Sequence, residues 1–139
     1  MRIVVLNGSP KGMASVTMHY VLYLKKKYPQ HEFEILHVCR EIRRLEEDSA
    51  AFGTVVEAIE AADAVIWAFP VYYLLVHAHY KRFIELVFER SAQEAFQAKY
   101  AAALSTSIHY FDHTAHNYIH GICDDLGMRF LGSFSAAMY

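Results

Sequence analysis

The sequence has few cysteines, no excess of charge of one sign and no long apolar run. Its two cysteines, Cys39 and Cys123, stand outside any CxxC pair. We therefore expect no iron–sulfur cluster and no metal site, and interpret both as reduced thiols of a cytoplasmic protein. The formal net charge of -2 offers no basic surface for nucleic acid. No uncharged apolar run reaches the roughly 18 residues that a membrane span requires.

The N-terminal segment does not resemble an export signal. The apolar run Ile3–Leu6 is interrupted by Asn7 and Gly8 before it reaches the length of a signal sequence. The 139 residues are 55% hydrophobic, which suits a single domain over residues 1–139 that buries its own core.

Short apolar runs alternate with helical patterns along the chain. We expect one charged segment, Arg40–Asp48, to be a solvated loop. The predicted helices are Ser15–Lys27, Phe52–Ala62, Val76–Arg90 and Ala115–Leu126. The predicted strands are Ile3–Leu6, Phe33–Val38 at an edge, Ala64–Phe69, Tyr100–Ser105 and Met128–Phe134. This alternation predicts an α/β fold, a parallel sheet with helices on both faces.

The loop after the first strand has the composition of an anion site. Ligands of such sheets bind at the carboxyl ends of the strands, which singles out residues 7–17, 70–75 and 105–114. The first of these loops is not a Walker A loop, because Met13 stands where that motif needs a glycine. It is not GxGxxG either, because Pro10 stands where the second glycine is needed. Its hydroxyls, its backbone amides, Lys11 and the helix that follows suit a phosphate monoester. The alternative is an ordinary strand–helix turn with Ser15 as the N-cap.

Three segments together resemble the flavodoxin-like NAD(P)H-dependent FMN reductase family. The first is Asn7-Gly8-Ser9-Pro10-Lys11 followed by Ser15-Val16-Thr17, which is similar to the family's phosphate loop; many members have Asn at the position of Val16. The second is Phe69–Tyr73 followed by Lys81–Glu85, which is similar to the turn and helix beside the flavin ring. The third is Ser105–Ser107, which is similar to the last flavin loop. The resemblance extends from Arg2 to about Ser135.

The resemblance implies a fold, a cofactor and a set of site residues. The fold is a three-layer α/β/α domain with a five-stranded parallel sheet of order 2-1-3-4-5. The cofactor is FMN, with NAD(P)H as co-substrate. The phosphate would be held by Ser9, Lys11, Ser15, Val16 and Thr17. The isoalloxazine would pack on Pro70, Val71, Tyr72 and Tyr73, and its polar edge would face Ser105, Thr106 and Ser107, with His109 and Asp112 as further candidates.

The family's final helix is expected to be missing, because the chain ends at Tyr139 just after the last predicted strand. Apolar sheet surface would then be exposed. A second copy in a homodimer or larger homo-oligomer could cover this surface. Alternatively, this chain is a fragment, and the rest of a longer polypeptide covers the surface.

The implied function is an oxidoreductase that passes electrons from NAD(P)H through flavin to a small acceptor, which could be a quinone, a flavin, a metal ion, or a nitro or azo compound. No catalytic side chain is required, since a flavin brings its own redox chemistry. One alternative is a flavodoxin-type electron carrier, which the net charge of -2 disfavours. Another is a flavin-free assembly module.

Histidines are concentrated after the fourth predicted strand. His116 and His120 have the i, i+4 spacing of metal ligands on a helix, but no second ligand group accompanies them. We favour solvated or capping roles for these histidines. His109, His113 or Asp112 could instead bind the pyrimidine edge of a flavin.

Overall fold

The sheet has five parallel strands. The computed structural model describes residues 1–108 and 112–137. The strands are β1 (Arg2–Asn7), β2 (Glu32–Leu36), β3 (Ala64–Pro70), β4 (Tyr100–Ser107) and β5 (Arg129–Ala137). Their order is β2-β1-β3-β4-β5, and every neighbouring pair is parallel. The predicted order and the edge position of the second strand are confirmed.

Within residues 1–108 and 112–137, five α-helices connect the strands. They are α1 (Val16–Lys27), α2 (Ile42–Glu47), α3 (Ser49–Glu60), α4 (Ala78–Glu89) and α5 (His113–Asp125), and short 3-10 turns occupy Gly12–Ala14 and Gln93–Ala95. Side chains cap three of these helices. Ser15 accepts from the Met18 amide, Asp48 from the Ala50 and Ala51 amides, and His77 from the His79 amide. Among the described residues, no helix is both long and apolar enough to span a membrane.

The prediction of a solvated loop over Arg40–Asp48 was wrong, because this segment contains α2. Ile42 and Leu45 are 4% exposed and point into the core, while the charged residues between them face outward. Arg90 on α4 donates to the carbonyl oxygens of Leu45 and Glu46, at 2.8 and 2.7 Å. Two apolar residues at i, i+3 are thus enough to bury one face of a short helix.

The larger hydrophobic core lies between the sheet and helices α2 to α5. Trp67 on β3 stacks on Phe96 at a centroid distance of 5.9 Å and receives the edge of Tyr80 at 6.0 Å. Tyr80 is fully buried, and its hydroxyl donates to the Leu6 carbonyl oxygen at 2.7 Å. Burial raises the pKa of Tyr80 well above its ordinary value. Tyr80, on α4, therefore anchors the end of β1, where the loop of residues 7–17 begins.

The opposite face of the sheet is only partly covered. Helix α1 packs there through Met18 and Val21, which meet Val5, Ala68 and Leu104 of the sheet in a smaller cluster. Beside α1 lies an apolar groove of about 920 Å³ that reaches across β4 to β5. Its rim includes Leu131 and Phe134, which are 71% and 57% exposed. Exposed apolar sheet surface, which the sequence predicts, is therefore present.

Candidate functional site

A buried amide shapes the loop after β1. Asn7 is fully buried; its Oδ1 accepts from the Ser9 amide at 3.0 Å, and its Nδ2 donates to the Gly12 carbonyl oxygen at 3.2 Å. Nδ2 also lies 3.0 Å from Nδ1 of His37. Because a buried amide must have its donors and acceptors paired, these contacts hold the loop in one conformation. A polar residue that ends a buried apolar run is the signal that could have identified Asn7.

Gly8 lets the loop leave β1 close to its neighbours. A Cβ at this position would lie 2.8 Å from Cβ of Phe69 and 3.0 Å from the ring of Tyr80. Any side chain at position 8 would therefore push β1 away from β3 and α4.

The hydroxyls of Ser9 and Ser15 are buried parts of the loop. Ser9 Oγ accepts from the Lys11 amide, and Ser15 Oγ accepts from the Met18 amide, both at 3.2 Å. Each hydroxyl uses a lone pair in this way and keeps its proton as a donor. The amides of Val16 and Thr17 begin α1 and have no intrahelical acceptor. These donors together can hold an anion.

Two cationic side chains flank this loop. Lys11, the cation that the sequence predicts for this loop, is exposed. Arg40 was not expected there: a Cβ added to Gly12, whose φ is +60°, would lie 2.5 Å from Nη1 of Arg40. The guanidinium group therefore covers Gly12. Sequence reasoning missed it because Arg40 is one of several charges in its segment.

Thr106 joins the three predicted loop segments. Its Oγ1 lies 2.8 Å from Oγ1 of Thr17, and its carbonyl oxygen accepts from the Val71 amide at 2.9 Å. It is also in register with Pro70 in the β3–β4 pair. Ser105, Thr106 and Ser107 are buried as the last residues of β4, which continues two residues beyond the predicted strand end at Ser105.

The segment after β3 forms a tight turn. The Tyr72 amide donates to the Leu75 carbonyl oxygen at 2.7 Å, and the Leu75 amide donates back to the Tyr72 carbonyl oxygen at 3.0 Å. The two residues between them, Tyr73 and Leu74, have φ values of +42° and +73°, which residues other than glycine rarely adopt. Tyr73 is 99% exposed, whereas Tyr72 meets the ring of His77 edge-on at 5.1 Å. The two tyrosines predicted to cushion a ring system thus have different surroundings.

Buried polar atoms remain unpaired near the end of β4. Ser105 Oγ lies 2.6 Å from Nε2 of His116. Neither Nδ1 of His116 nor Oγ of Ser107 has a hydrogen-bond partner among the described residues. Burial lowers the pKa of His116, and Asp112, whose carboxylate lies 3.9 Å away, partly opposes this shift. His116 is a candidate site residue that sequence reasoning did not assign.

The other candidates in this region have separate positions. Asp112 accepts a hydrogen bond from Ser135 Oγ. His109 lies outside the described residues. The ring of His120 stacks on Phe130 at a centroid distance of 4.3 Å, away from the His116 contact with Ser105. His116 and His120 are therefore engaged in separate contacts.

Both cysteines are buried free thiols. Burial raises the pKa of Cys39 to about 12, although a hydrogen bond from the Tyr80 backbone partly opposes this. Burial likewise raises the pKa of Cys123 to about 12. Both groups are consequently protonated at neutral pH.

Comparison with known proteins identifies the family and fold. Residues 1–138 match the family described as NADPH-dependent FMN reductase. The chain is similar to an apo-form NADH:FMN oxidoreductase, EMOB, with 23% identity and a TM-score of 0.77, over 98% of this chain and 75% of that one. It is also similar to FerB, an NAD(P)H:(acceptor) oxidoreductase from Paracoccus denitrificans, with 20% identity and a TM-score of 0.77, over 94% and 74% of the two chains. The Trp repressor binding protein from Bacillus subtilis has 16% identity and a TM-score of 0.73, over 99% and 85%. No functionally curated protein has a matching sequence.

The buried imidazole of His116 predicts a pH dependence of stability. Its pKa in the folded chain lies below the ordinary value of 6.5, so the unfolded chain binds the proton more strongly. The free energy of unfolding should therefore decrease as the pH falls below 6.5 and through the lowered value. Glutamine can bond to Ser105 without titrating, so His116→Gln should lose less stability than the parent chain between about pH 7.5 and about pH 5.5.

Urea denaturation at several pH values measures this effect. The pKa of His77 is also lowered by burial, and its contribution should be common to both proteins. His19→Gln, at an exposed position on α1, is the control and should follow the parent chain. An equal loss of stability in His116→Gln and the parent chain would contradict the prediction.

Proposed function

This chain belongs to the family of NADPH-dependent FMN reductases, and we propose that it passes electrons from NAD(P)H through bound FMN to a small acceptor. The acceptor class we propose is a quinone, a free flavin, a metal ion, or a nitro or azo compound. Two structurally similar proteins are an FMN-dependent NADH-azoreductase and an NADPH-quinone reductase. We assign the activity to one flavodoxin-like FMN-binding domain, residues 1–139.

The observation that carries the proposal is the meeting of the three loop segments at Thr106. The Thr17 hydroxyl and the Val71 amide both bond to this residue. The loop after β1 (residues 7–17), the turn after β3 (residues 70–75) and the end of β4 therefore share one edge of the sheet. A ligand with a phosphate at one end and a planar ring at the other needs these two kinds of surface side by side.

The first loop fits a phosphate monoester. We assign the phosphate to the donors of this loop, namely the hydroxyls of Ser9, Ser15 and Thr17, the amide of Val16 and the ammonium of Lys11. Arg40 is added as a second cation, because it lies against Gly12. The buried serine hydroxyls already accept bonds from backbone amides, which fixes the positions of their oxygens and leaves their protons available. Little ordering of these side chains then accompanies binding.

The edge of the sheet beyond this loop fits the ring system of FMN. Pro70, Val71 and Tyr72 offer apolar contact, and we assign Tyr73, fully exposed at the turn, to cover the ring. The polar edge would face Ser105, Thr106, Ser107 and Asp112, with His109 as a further candidate. Two buried atoms, Ser107 Oγ and His116 Nδ1, have no hydrogen-bond partner among the described residues. Each could form a hydrogen bond with the ligand.

FMN, when bound, supplies hydride acceptance and electron transfer. The chain's own residues bind and orient it. The hydroxyls of the loop after β1 would donate to the phosphate, Lys11 and Arg40 would offset its charge, and the turn at Tyr72–Leu75 would form a wall beside the ring. His116 holds Ser105 in place through the 2.6 Å contact. No side chain is required to transfer a proton to carbon or to form a covalent bond.

Flavin titration tests the proposed function. Apo protein should bind FMN with saturation at one equivalent per chain, seen as quenched flavin fluorescence. Anaerobic addition of NADH or NADPH should then bleach the yellow colour, and a quinone should restore it over many turnovers. Saturable binding without bleaching would instead indicate an electron carrier, and the absence of saturable binding would indicate a flavin-free module. Either result would contradict the oxidoreductase proposal.

The assignment of the phosphate to the first loop predicts a selective loss of affinity. Lys11→Met should weaken FMN binding about two- to five-fold, the effect of an exposed ion pair. Binding of riboflavin, which has no phosphate, should not change. Parallel fluorescence titrations with the two flavins give the ratio directly.

Lys26→Met is a matched control, because Lys26 is exposed near the opposite end of α1. It should leave both affinities unchanged. If Lys11→Met weakened riboflavin and FMN binding equally, Lys11 would not act through the phosphate.

We also propose that the chain is cytoplasmic and forms a homodimer or larger homo-oligomer. The buried free thiols suit a reducing compartment. The apolar groove beside α1 suits contact with a second copy, which would remove its exposed rim from water.

Phe134→Glu, at an exposed rim position, should shift the molar mass in light scattering toward one chain. A parent chain that is already monomeric at micromolar concentration would contradict this proposal.

A further inference from the structure

A cysteine and two histidines converge outside the residues assigned to the flavin. One ligand atom from each of Cys39, His77 and His79 lies within 4.8 Å of the other two. The Cys39 Sγ is 3.6 Å from Nδ1 of His77. Within residues 1–108 and 112–137, this is the only group of three potential metal ligands of this kind.

The fold holds these residues together without a metal. Cys39 follows β2, and its amide donates to the Asn7 carbonyl oxygen at 3.3 Å. His77 caps α4 by accepting from the His79 amide at 3.0 Å. The next residue of this helix, Tyr80, is bonded to the Leu6 carbonyl oxygen. Both ligand-bearing segments are therefore anchored to the end of β1.

We propose that Cys39, His77 and His79 bind one divalent ion of the zinc type. A thiolate and two imidazoles are ligands that zinc prefers, whereas magnesium and calcium require oxygen ligands. Tetrahedral zinc with ordinary bond lengths separates sulfur and nitrogen ligands by about 3.5 Å. The Cys39–His77 pair already has this separation. His79 is exposed, so rotation of its side chain can bring its ring nitrogen closer to the other two ligand atoms, which lie within 4.8 Å.

Binding is an exchange of a proton for the metal. The S–H bond of Cys39 breaks, its proton passes to solvent, and a metal–sulfur bond forms without any change of oxidation state. Each histidine contributes the lone pair of one neutral ring nitrogen. If His77 binds through Nδ1, the metal replaces the His79 amide as the partner of that nitrogen. The fourth position would be taken by water, because the group is exposed on the side of His79.

The alternative interpretation is that the group only packs the start of α4. The rings of His77 and His79 are 4.7 Å apart, and Tyr72 meets His77 edge-on at 5.1 Å. Ring packing alone would account for these contacts. It would not produce a stoichiometric metal complex with a bond to sulfur, and this difference separates the two interpretations.

Cobalt(II) is the probe, because a cobalt–thiolate bond gives a charge-transfer band in the near ultraviolet. The full chain, reduced and treated with a chelator, should bind one equivalent of Co²⁺ with this band and with the visible bands of a tetrahedral site. Addition of Zn²⁺ should remove both sets of bands. The titration is run with and without FMN, and since neither ion needs to be reduced, its outcome is independent of the proposed oxidoreductase activity.

The variants are chosen to separate ligand loss from misfolding. His79→Gln, at an exposed position, and His77→Asn, which keeps a side chain able to cap α4, should each weaken Co²⁺ binding at least ten-fold. Cys39→Ser should abolish the sulfur band. Cys123→Ser removes the other buried thiol, and His120→Gln removes an exposed histidine elsewhere; both should bind Co²⁺ like the parent chain. Circular dichroism checks the fold of each variant.

Three results would overturn the proposal. The first is the absence of a sulfur charge-transfer band in the folded parent chain. The second is persistence of the band in Cys39→Ser, and the third is unchanged Co²⁺ affinity in a folded His79→Gln variant.

Discussion

The parallel register of β1, β3 and β4 is the constraint on which the candidate site depends. In a parallel sheet the carboxyl ends of neighbouring strands meet at one edge. The pairing of Asn7 with Ala68 and of Pro70 with Thr106 fixes which residues emerge there. A shift by one residue would turn every side chain to the opposite face. The buried bond between Thr17 and Thr106 then joins the first helix to the fourth strand.

The candidate anion loop is rigid because its polar groups are paired with one another. The Asn7 amide bonds to both ends of the turn, and Gly8 permits the close approach of Phe69 and Tyr80. The hydrogen bonds within the loop use acceptors of the serine hydroxyls but not their protons. A loop of this kind is stable without a ligand and still presents donors to one, which is the preorganisation that tight anion binding needs.

The two faces of the sheet differ in how completely they are covered. Helices α2 to α5 bury one face around Trp67 and Tyr80, whereas α1 leaves an apolar groove beside Phe134 on the other. The covered face also brings Cys39 and His77 to the end of β1. The proposed oligomer and the proposed metal site thus arise from different parts of the fold, and the failure of one would not affect the other.

The sequence by itself predicted the five strands and four of the five described α-helices in chain order, because short continuous apolar runs such as that ending at Leu6 suit buried parallel strands. It also offered Ser15 as a helix cap, as the alternative to the anion site, and Ser15 does cap α1, because a cap depends on neighbours in the chain. It did not identify α2, where two apolar residues among charges are a weak periodic signal. The contacts of Thr17 with Thr106 and of Cys39 with His77 join residues 89 and 38 positions apart. Local patterns carry no information on such pairs, and only the packed sheet decides which distant side chains meet.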